Sequence, residues 1–281
     1  MNEELSYGED YHYLPITSIN SGVGQEAASD LYCLTIQIVN ITFIGQPDDD
    51  EWILVDAGMP NSADTIIAAA EERFGPDSKP KAIILTHGHF DHVGAIVELI
   101  KHWDVPVYAH EAELPYLTGI KNYPAPDPTV DGGLIAKMSP LFPNEAINLG
   151  HHVNKLPSDN MVPAMPEWRW IHTPGHTPGH ISLFRERDRS LIAGDAFVGV
   201  KQENLYQVLT QKPEINGPPR YLTTDWQSAS ESVKTLEALK PAIAVTGHGA
   251  PFAGEILSQS LKQLADEFDR IAKPQHGKYV N

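Results

Sequence analysis

The sequence predicts an α/β fold built from two related halves. Short apolar runs alternate with segments of helical spacing along most of the 281 residues. The run 82–89, AIILTHGH, matches 242–249, AIAVTGHG, because each has an apolar strand followed by threonine, glycine and histidine. With 41% hydrophobic residues the chain can bury a sizeable core, so we predict a single domain over 1–281.

The first half opens with a polar segment, 1–30, which predicts an extended N-terminal arm. The run 31–45 is rich in β-branched and aromatic residues and predicts a strand. Apolar residues recur at helical spacing in 62–74, and Gly75 ends that helix. The remaining predicted elements of this half are strands at 51–55, 81–86 and 105–109 and a helix at 93–101.

Residues 118–168 are rich in proline and glycine, so regular structure there should be short. So long a connection is usually functional, and we predict an inserted lid or cap. Met138, Leu141 and Phe142 in this lid are predicted to contact an apolar part of the substrate. The second half then has predicted strands at 168–172, 181–184, 190–193 and 242–246 and helices at 227–239 and 257–271.

Charge and cysteine content exclude several classes of function. Lys and Arg number 20 and Asp and Glu 37, so the net charge is 20 − 37 = −17. This charge repels phosphate backbones and anionic lipids, so we expect neither a nucleic-acid nor a membrane partner. Cys33 is the single cysteine, which excludes an intrachain disulfide. The acidic N-terminus lacks the apolar run of a secretory signal, and we expect a cytoplasmic protein.

The main chemical signal is the pattern HGHFDH at 87–92, directly after a predicted strand. Alternate residues at a strand end share a face, so His87 and His89 can converge, and Asp91 and His92 follow in a tight loop. Imidazoles and a carboxylate suit a borderline divalent metal, zinc first, with manganese or iron as alternatives. Three more candidates lie beside glycines near strand ends: His176, Asp195 and His248. The eight other histidines, His12 among them, are interpreted as ordinary surface or core residues, with support of a ligand as the alternative for His172 and His180, which flank His176.

In its HxHxDH motif, lone His, Asp of a GD pair and His of a GHG, the chain resembles the metallo-β-lactamase superfamily over about 31–255. The resemblance implies a four-layer αββα sandwich with a two-metal site at its edge. It assigns ligands as follows: His87, His89 and His176 to one metal, Asp91, His92 and His248 to the second, and Asp195 to both. Asp56, in a VDAG motif, would orient a ligand by hydrogen bonding.

The segment HTPGHTPGH at 172–180 is similar to that of acyl-homoserine-lactone lactonases and related glyoxalase II-like hydrolases. Those lactonases place a tyrosine three residues after the bridging aspartate, at the substrate carbonyl. Val198 stands at that position here. Tyr206 and Tyr221 are the candidates, by proximity in sequence, for supplying the missing hydroxyl.

The charge balance expected at a two-metal site favours hydrolysis of a small ester, lactone or thioester. Two divalent ions, less Asp91, Asp195 and a metal-bridging hydroxide, leave about one positive charge beside the developing oxyanion. Asp91 is the predicted catalytic residue because it can hold the transferred proton. One alternative is a sulfur dioxygenase of the persulfide dioxygenase type, with a single iron ion. Another alternative is a phosphodiesterase or nuclease. An apolar lid also allows a homodimer contact.

Overall fold

Two β-sheets packed face to face form the centre of the protein, whose computed structural model describes residues 5–8, 11, 13 and 15–280. The prediction for His12 lies outside these residues. Strands of the first sheet follow chain order across it: β1 Gly24–Ala28, β2 Leu31–Ile36, β3 Val39–Ile44, β4 Ile53–Val55, β5 Ile83–Ile84, β6 Val107–Ala109 and β7 Val153–Lys155. Neighbours from β1 to β4 are antiparallel, and those from β4 to β7 are parallel.

The second sheet is formed by the later part of the chain. Its strands are β8 Met161–Val162, β9 Met165–His172, β10 Ile181–Arg185, β11 Ser190–Ile192, β12 Ile243–Val245 and β13 Phe252–Ala253. They lie in the order β13, β12, β11, β10, β9, β8, and the pair β11–β12 is parallel. Each half of the sequence therefore builds one sheet, as the internal similarity predicts.

Helices cover the outer faces of both sheets. The helices in chain order are α1 Ala63–Phe74, α2 Ile96–Trp103, α3 Leu114–Leu117, α4 Leu134–Met138, α5 Leu205–Thr210, α6 Trp226–Ala238, α7 Gly254–Asp266 and α8 Phe268–Ile271. α1 and α2 pack on the first sheet, and α6 and α7 pack on the second. None of the helices in the described part of the chain is long and apolar enough to cross a bilayer.

The period-two side-chain alternation of the strands creates the layers. In β4, Leu54 belongs to the core beneath α1 and α2, whereas Ile53 belongs to the core between the sheets. In β11, Leu191 faces α6 and α7, whereas Ile192 faces the first sheet. Cys33 also lies in the core between the sheets, 2% exposed. The predicted αββα sandwich is confirmed.

The predicted elements differ from the structure in four places. The single strand predicted over 31–45 is a hairpin, which turns at Gln37 with a left-handed φ of 58°. The arm contributes β1 to the first sheet. The segment 118–168 contains β7, β8 and the start of β9, so only its first part lies outside the sheets. The last helix is interrupted at Glu267, whose φ of −121° separates α7 from α8.

Candidate metal centre

The seven predicted ligands lie together at one edge of the sandwich, just beyond the ends of strands in both sheets. His87, Asp195 and His248 each lie three residues after a strand, namely β5, β11 and β12. His176 follows β9 by four residues. All seven are buried, with exposed fractions of 6% or less. Parallel strands direct their carboxyl ends to one edge, which explains why residues distant in sequence meet there.

The ligand atoms form three groups in which all atoms lie within 4.8 Å of one another. The groups are His87, His89 and His176; His87, His92 and Asp195; and Asp91, His92 and His248. Asp195 lies between the first and the third of these groups, which we call the outer ligand groups. Its Oδ2 is 3.5 Å from His176 Nε2 and 3.3 Å from His248 Nε2. Its Oδ1 is 3.6 Å from His92 Nε2.

Hydrogen bonds on the outer side of two rings set their tautomers. His92 Nδ1 donates to Asp56 Oδ2 over 2.8 Å. His87 Nδ1 lies 3.1 Å from the hydroxyl oxygen of Thr86, whose own proton goes to Asp56 Oδ2 over 2.8 Å. A hydroxyl that donates to a carboxylate can still accept, so His87 Nδ1 is the donor. Both rings therefore use Nδ1 on the outer side and direct Nε2, the nitrogen left for a metal, toward the centre.

The same arrangement recurs on the second half of the chain. His248 Nδ1 donates to the backbone carbonyl of Ile38 over 2.8 Å. His176 Nδ1 donates to Thr223 Oγ1 over 3.0 Å, and that hydroxyl donates to Pro219 O. His89 differs, because its Nδ1 faces the centre, 2.9 Å from His176 Nε2.

Unpartnered buried atoms test whether these residues fit metal ions. His87 Nε2, His92 Nε2, Asp91 Oδ1 and Asp195 Oδ1 are buried and have no hydrogen-bond partner among the described residues. Leaving a buried polar atom unpaired costs about 1–3 kcal/mol, so four in one cluster need an explanation. All four belong to the predicted ligand set, and nitrogen and carboxylate oxygen are donors that zinc accepts. The residues therefore fit divalent ions.

Burial and neighbouring charges shift the pKa values of the predicted ligands in different directions. Burial lowers the pKa of His89 to about 3 and holds the pKa of His176 well below the ordinary value, so both rings are neutral and ready to ligate. Burial also opposes charge on His92, but Asp56, Asp195 and Asp91 outweigh it and raise the pKa of His92. Burial alone would raise the pKa of Asp195, but His248 and His92 hold it well below the usual range. Asp195 is therefore a carboxylate.

Supporting residues hold the ligand loops. Asp56 accepts from the Thr86 backbone N–H over 2.7 Å as well as from His92, and has a left-handed φ of 62°. The role expected of it, orienting a ligand, matches these contacts. Asn40 Nδ2 donates to Thr246 O and Gly249 O, on either side of His248.

The sequence favours an ordinary role for His180 over support of a neighbouring ligand, yet its Nε2 accepts the backbone N–H of Asp195 over 2.8 Å. Its Nδ1 lies 3.1 Å from Thr173 O, which fixes the neutral tautomer. Burial lowers the pKa of His180 to about 4. Thr223 and Asn40 were also missed, because each is far in sequence from the ligand loop that it contacts and neither lies in a motif.

Part of the predicted lid segment packs beside the ligand loop 87–92. Phe142 is buried, with its ring 5.5 Å from that of Phe90 in the ligand loop and 5.8 Å from that of Tyr221. Leu141 is 59% exposed, so these two adjacent residues point in different directions. Of the two tyrosine candidates, Tyr206 is 72% exposed whereas Tyr221 is buried. Burial raises the pKa of Tyr221, and nearby Asp91 adds to the rise.

Comparison with known proteins identifies the family. The sequence model described as the metallo-beta-lactamase superfamily matches residues 34–248. The chain is 51% identical over 260 residues to probable metallo-hydrolase YflN of Bacillus subtilis (strain 168), spanning 92% of this chain and 98% of that protein. It is 27% identical over 225 residues to hydroxyacylglutathione hydrolase GloC of Haemophilus influenzae, spanning 77% of this chain and 92% of that protein.

A solved structure with the same fold is a beta-lactamase domain protein from Burkholderia ambifaria. It matches with a TM-score of 0.60 at 20% identity, over 94% of this chain and 79% of that chain. The resemblance drawn from HxHxDH and the later ligands is confirmed, as is the prediction of an enzyme. The chain belongs to the metallo-beta-lactamase superfamily and is a metallohydrolase.

Proposed function

We propose that the chain is a dinuclear hydrolase of a small ester, lactone or thioester. The observation that carries the proposal is the position of Asp195, whose two oxygens lie within 3.6 Å of nitrogens from both outer ligand groups. His87, His89 and His176 would hold one ion, Asp91, His92 and His248 the other, and Asp195 both. Bound zinc ions would supply an activated water and would polarise the substrate carbonyl.

Asp91 is proposed to move the proton. Its Oδ1 is buried and has no partner among the described side chains, and its Oδ2 is 3.4 Å from His248 Nε2. Burial raises the pKa of Asp91, which makes the carboxylate a better proton acceptor than an exposed aspartate. The proton that it takes from the attacking water would pass to the leaving oxygen or sulfur.

Tyr221 is proposed to take the part of the tyrosine that Val198 replaces. Burial raises its pKa well above the ordinary value, so the phenol keeps its proton at neutral pH. A protonated phenol can donate to a carbonyl oxygen on which negative charge develops. Val198 is fully buried, and its apolar side chain has no hydrogen-bonding group, so it cannot replace that hydroxyl.

A thioester is favoured within the proposed substrate class by one relative, since the name hydroxyacylglutathione hydrolase describes a protein that cleaves a thioester. The iron sulfur dioxygenase alternative would leave Asp91, His92 and His248 without a metal, although they form a complete group. A phosphodiesterase would have to bind anionic substrates with a protein of net charge −17.

The proposal is tested on purified protein reconstituted with zinc, manganese or iron. We expect about two ions per chain and hydrolysis in a panel of lactones, aryl esters and thioesters. Asp195→Asn should lower metal content and activity together, whereas the exposed-site variant Asp104→Asn should change neither. One iron per chain, with oxygen uptake on a persulfide and no hydrolysis, would overturn the proposal.

The proposed partner is the small-molecule substrate alone, without nucleic acid or membrane. The proposal places the reaction in the cytoplasm, in keeping with the free buried thiol of Cys33. A homodimer stays a prediction. Native mass spectrometry of variants at exposed apolar side chains of the lid segment, such as Leu134 and Leu141, would test it.

A further inference from the structure

Glu113 is a fully buried carboxylate outside the ligand set, in the turn before α3. Burial raises the pKa of its carboxyl, and hydrogen bonds from four neighbours oppose that rise. A buried carboxylate is costly unless such donors satisfy it. The hydrolytic mechanism proposed above gives Glu113 no part, so its position next to the metal centre needs another account.

Each oxygen of Glu113 serves a different ligand loop. Oε1 accepts from Thr177 Oγ1 over 2.7 Å and from the Gly179 N–H over 2.8 Å. These donors lie in the loop that carries His176. Oε2 accepts from the Gly88 N–H over 3.1 Å and from the Tyr123 hydroxyl. One side chain therefore joins the loops contributed by the two halves of the chain.

Glycines make these contacts possible. A Cβ at Gly179 would lie 2.7 Å from Glu113 N and 2.8 Å from its Cγ. A Cβ at Gly88 would lie 2.6 Å from the Tyr123 hydroxyl. The Tyr123 ring in turn packs against His89, with ring centroids 4.6 Å apart. Both loops are thus shaped to approach Glu113 and Tyr123 closely.

We propose that Glu113 is a positioning residue for one of the two metal sites, the one formed by His87, His89 and His176. This inference rests on the proposed function. Gly88 separates His87 from His89, Thr177 follows His176, and Gly179 lies three residues beyond His176, so all loop contacts of Glu113 lie in the two segments that carry that group. The other group has its own supports, since Asp56 holds His92 and Asn40 holds the turn around His248.

Zinc titration of the full chain against a fluorescent chelator tests this asymmetry. Glu113→Gln keeps the shape but turns an amide N–H₂ toward one pair of donors. Loss of a residue that supports a metal ligand typically weakens metal binding roughly 10- to 100-fold. We expect one zinc dissociation constant to rise by that factor and the other to stay unchanged. Cadmium NMR should show one resonance displaced and one retained.

Two variants provide matched controls. Asn40→Ser should give the mirror result, weakening the site of His248 and leaving the first site unchanged. Glu203→Gln removes another buried carboxylate, one that accepts the Arg220 backbone N–H over 2.8 Å away from the ligand loops. It should lower the melting temperature without changing either zinc constant.

The gentler pair Thr177→Val and Thr177→Ser covers the case in which Glu113→Gln does not fold. Valine should weaken the first site in the same direction by a smaller factor, and serine, which keeps the hydroxyl, should restore it. If wild-type protein binds two zinc ions and the Glu113 and Thr177 variants keep both constants, or lose both equally, the inference is wrong and the proposed function stands. Wild-type protein that takes up no metal would overturn both.

Discussion

Replacing Asp56 by asparagine should weaken zinc binding through a residue that would not touch the metal. Asp56 accepts three hydrogen bonds of 2.7–2.8 Å, from Thr86 N, Thr86 Oγ1 and His92 Nδ1. In Asp56→Asn, Oδ1 can still accept from Thr86 N, but the amide N–H₂ replaces the oxygen that serves the other two donors. The Thr86 hydroxyl can rotate away, whereas His92 cannot turn without moving its Nε2 from the centre.

The expected magnitude follows from these contacts. A hydrogen bond to a charged group contributes about 1.5–3 kcal/mol, and two acceptor contacts are lost, so the metal-free protein should lose about 3 kcal/mol of unfolding free energy. The His92 ring facing an N–H donor would shift its proton to Nε2, which removes the lone pair that a metal needs. We therefore expect zinc affinity at the site of His92 to fall roughly 10- to 100-fold.

Asparagine is the suitable replacement because Asp56 has a φ of 62°, a left-handed conformation that asparagine also tolerates. Asp104→Asn is the matched control, an exposed aspartate at a φ of 50°. Zinc titration and urea unfolding of both variants measure the two effects. If Asp56→Asn loses stability but keeps wild-type zinc affinity at both sites, then Asp56 does not set the tautomer of His92 and the reasoning fails.

Three further outcomes are expected. Gly175→Ala should cost about 3 kcal/mol of stability and disturb the ligand that follows it, because a Cβ would overlap the Ala229 backbone and the φ is 131°; thermal melts with metal analysis measure this. The Cys33 thiol, whose pKa burial raises to about 12, should react with a disulfide reagent at pH 8 only after unfolding. Asp30→Asn should cost roughly 3 kcal/mol at pH 7, since Asp30 pairs with buried Arg185 over 2.6 Å.

The pH dependence of the last variant follows from the pKa of Asp30. Burial alone would raise that pKa, but Arg185 lowers it below the ordinary 3.8. The folded state therefore favours the charged form, and the stabilisation is complete above pH 3.8 and lost as the pH falls through the folded-state pKa. Urea unfolding should show the two proteins converging only in strong acid. Equal stability of the wild-type protein and Asp30→Asn at pH 7 would contradict this prediction. The Gly175→Ala prediction would be wrong if that variant were no less stable than Gly22→Ala, whose Cβ meets nothing within 4 Å.

The sequence predicted the features that depend on local patterns. HxHxDH is contiguous, and His176, Asp195 and His248 lie beside glycines, so the ligand types could be identified from the residue order alone. The hairpin at Gln37 was missed because its turn has neither glycine, asparagine nor proline. The break at Glu267 was missed for the same reason, since apolar spacing continues through it.

Residues whose role depends on distant contacts could not be predicted. Glu113 reaches Gly88 and Thr177, which are 25 and 64 positions away. His180 lies in a visible motif, yet only the fold places its Nε2 on the backbone of Asp195, 15 residues later. The end of the predicted lid segment could not be predicted either. The polar strand β7 joins the first sheet through backbone pairing with β6, and side-chain patterns do not indicate such pairing.

Both outer ligand groups draw on both sheets, since His176 completes one and His248 completes the other. Bound ions would therefore cross-link the halves, and neither half alone carries a whole set. If the chain were cut between β7 and β8, each fragment should take up zinc poorly, and their mixture should recover binding only as the sheets dock. The rate of zinc uptake would then report the rate at which the two halves associate.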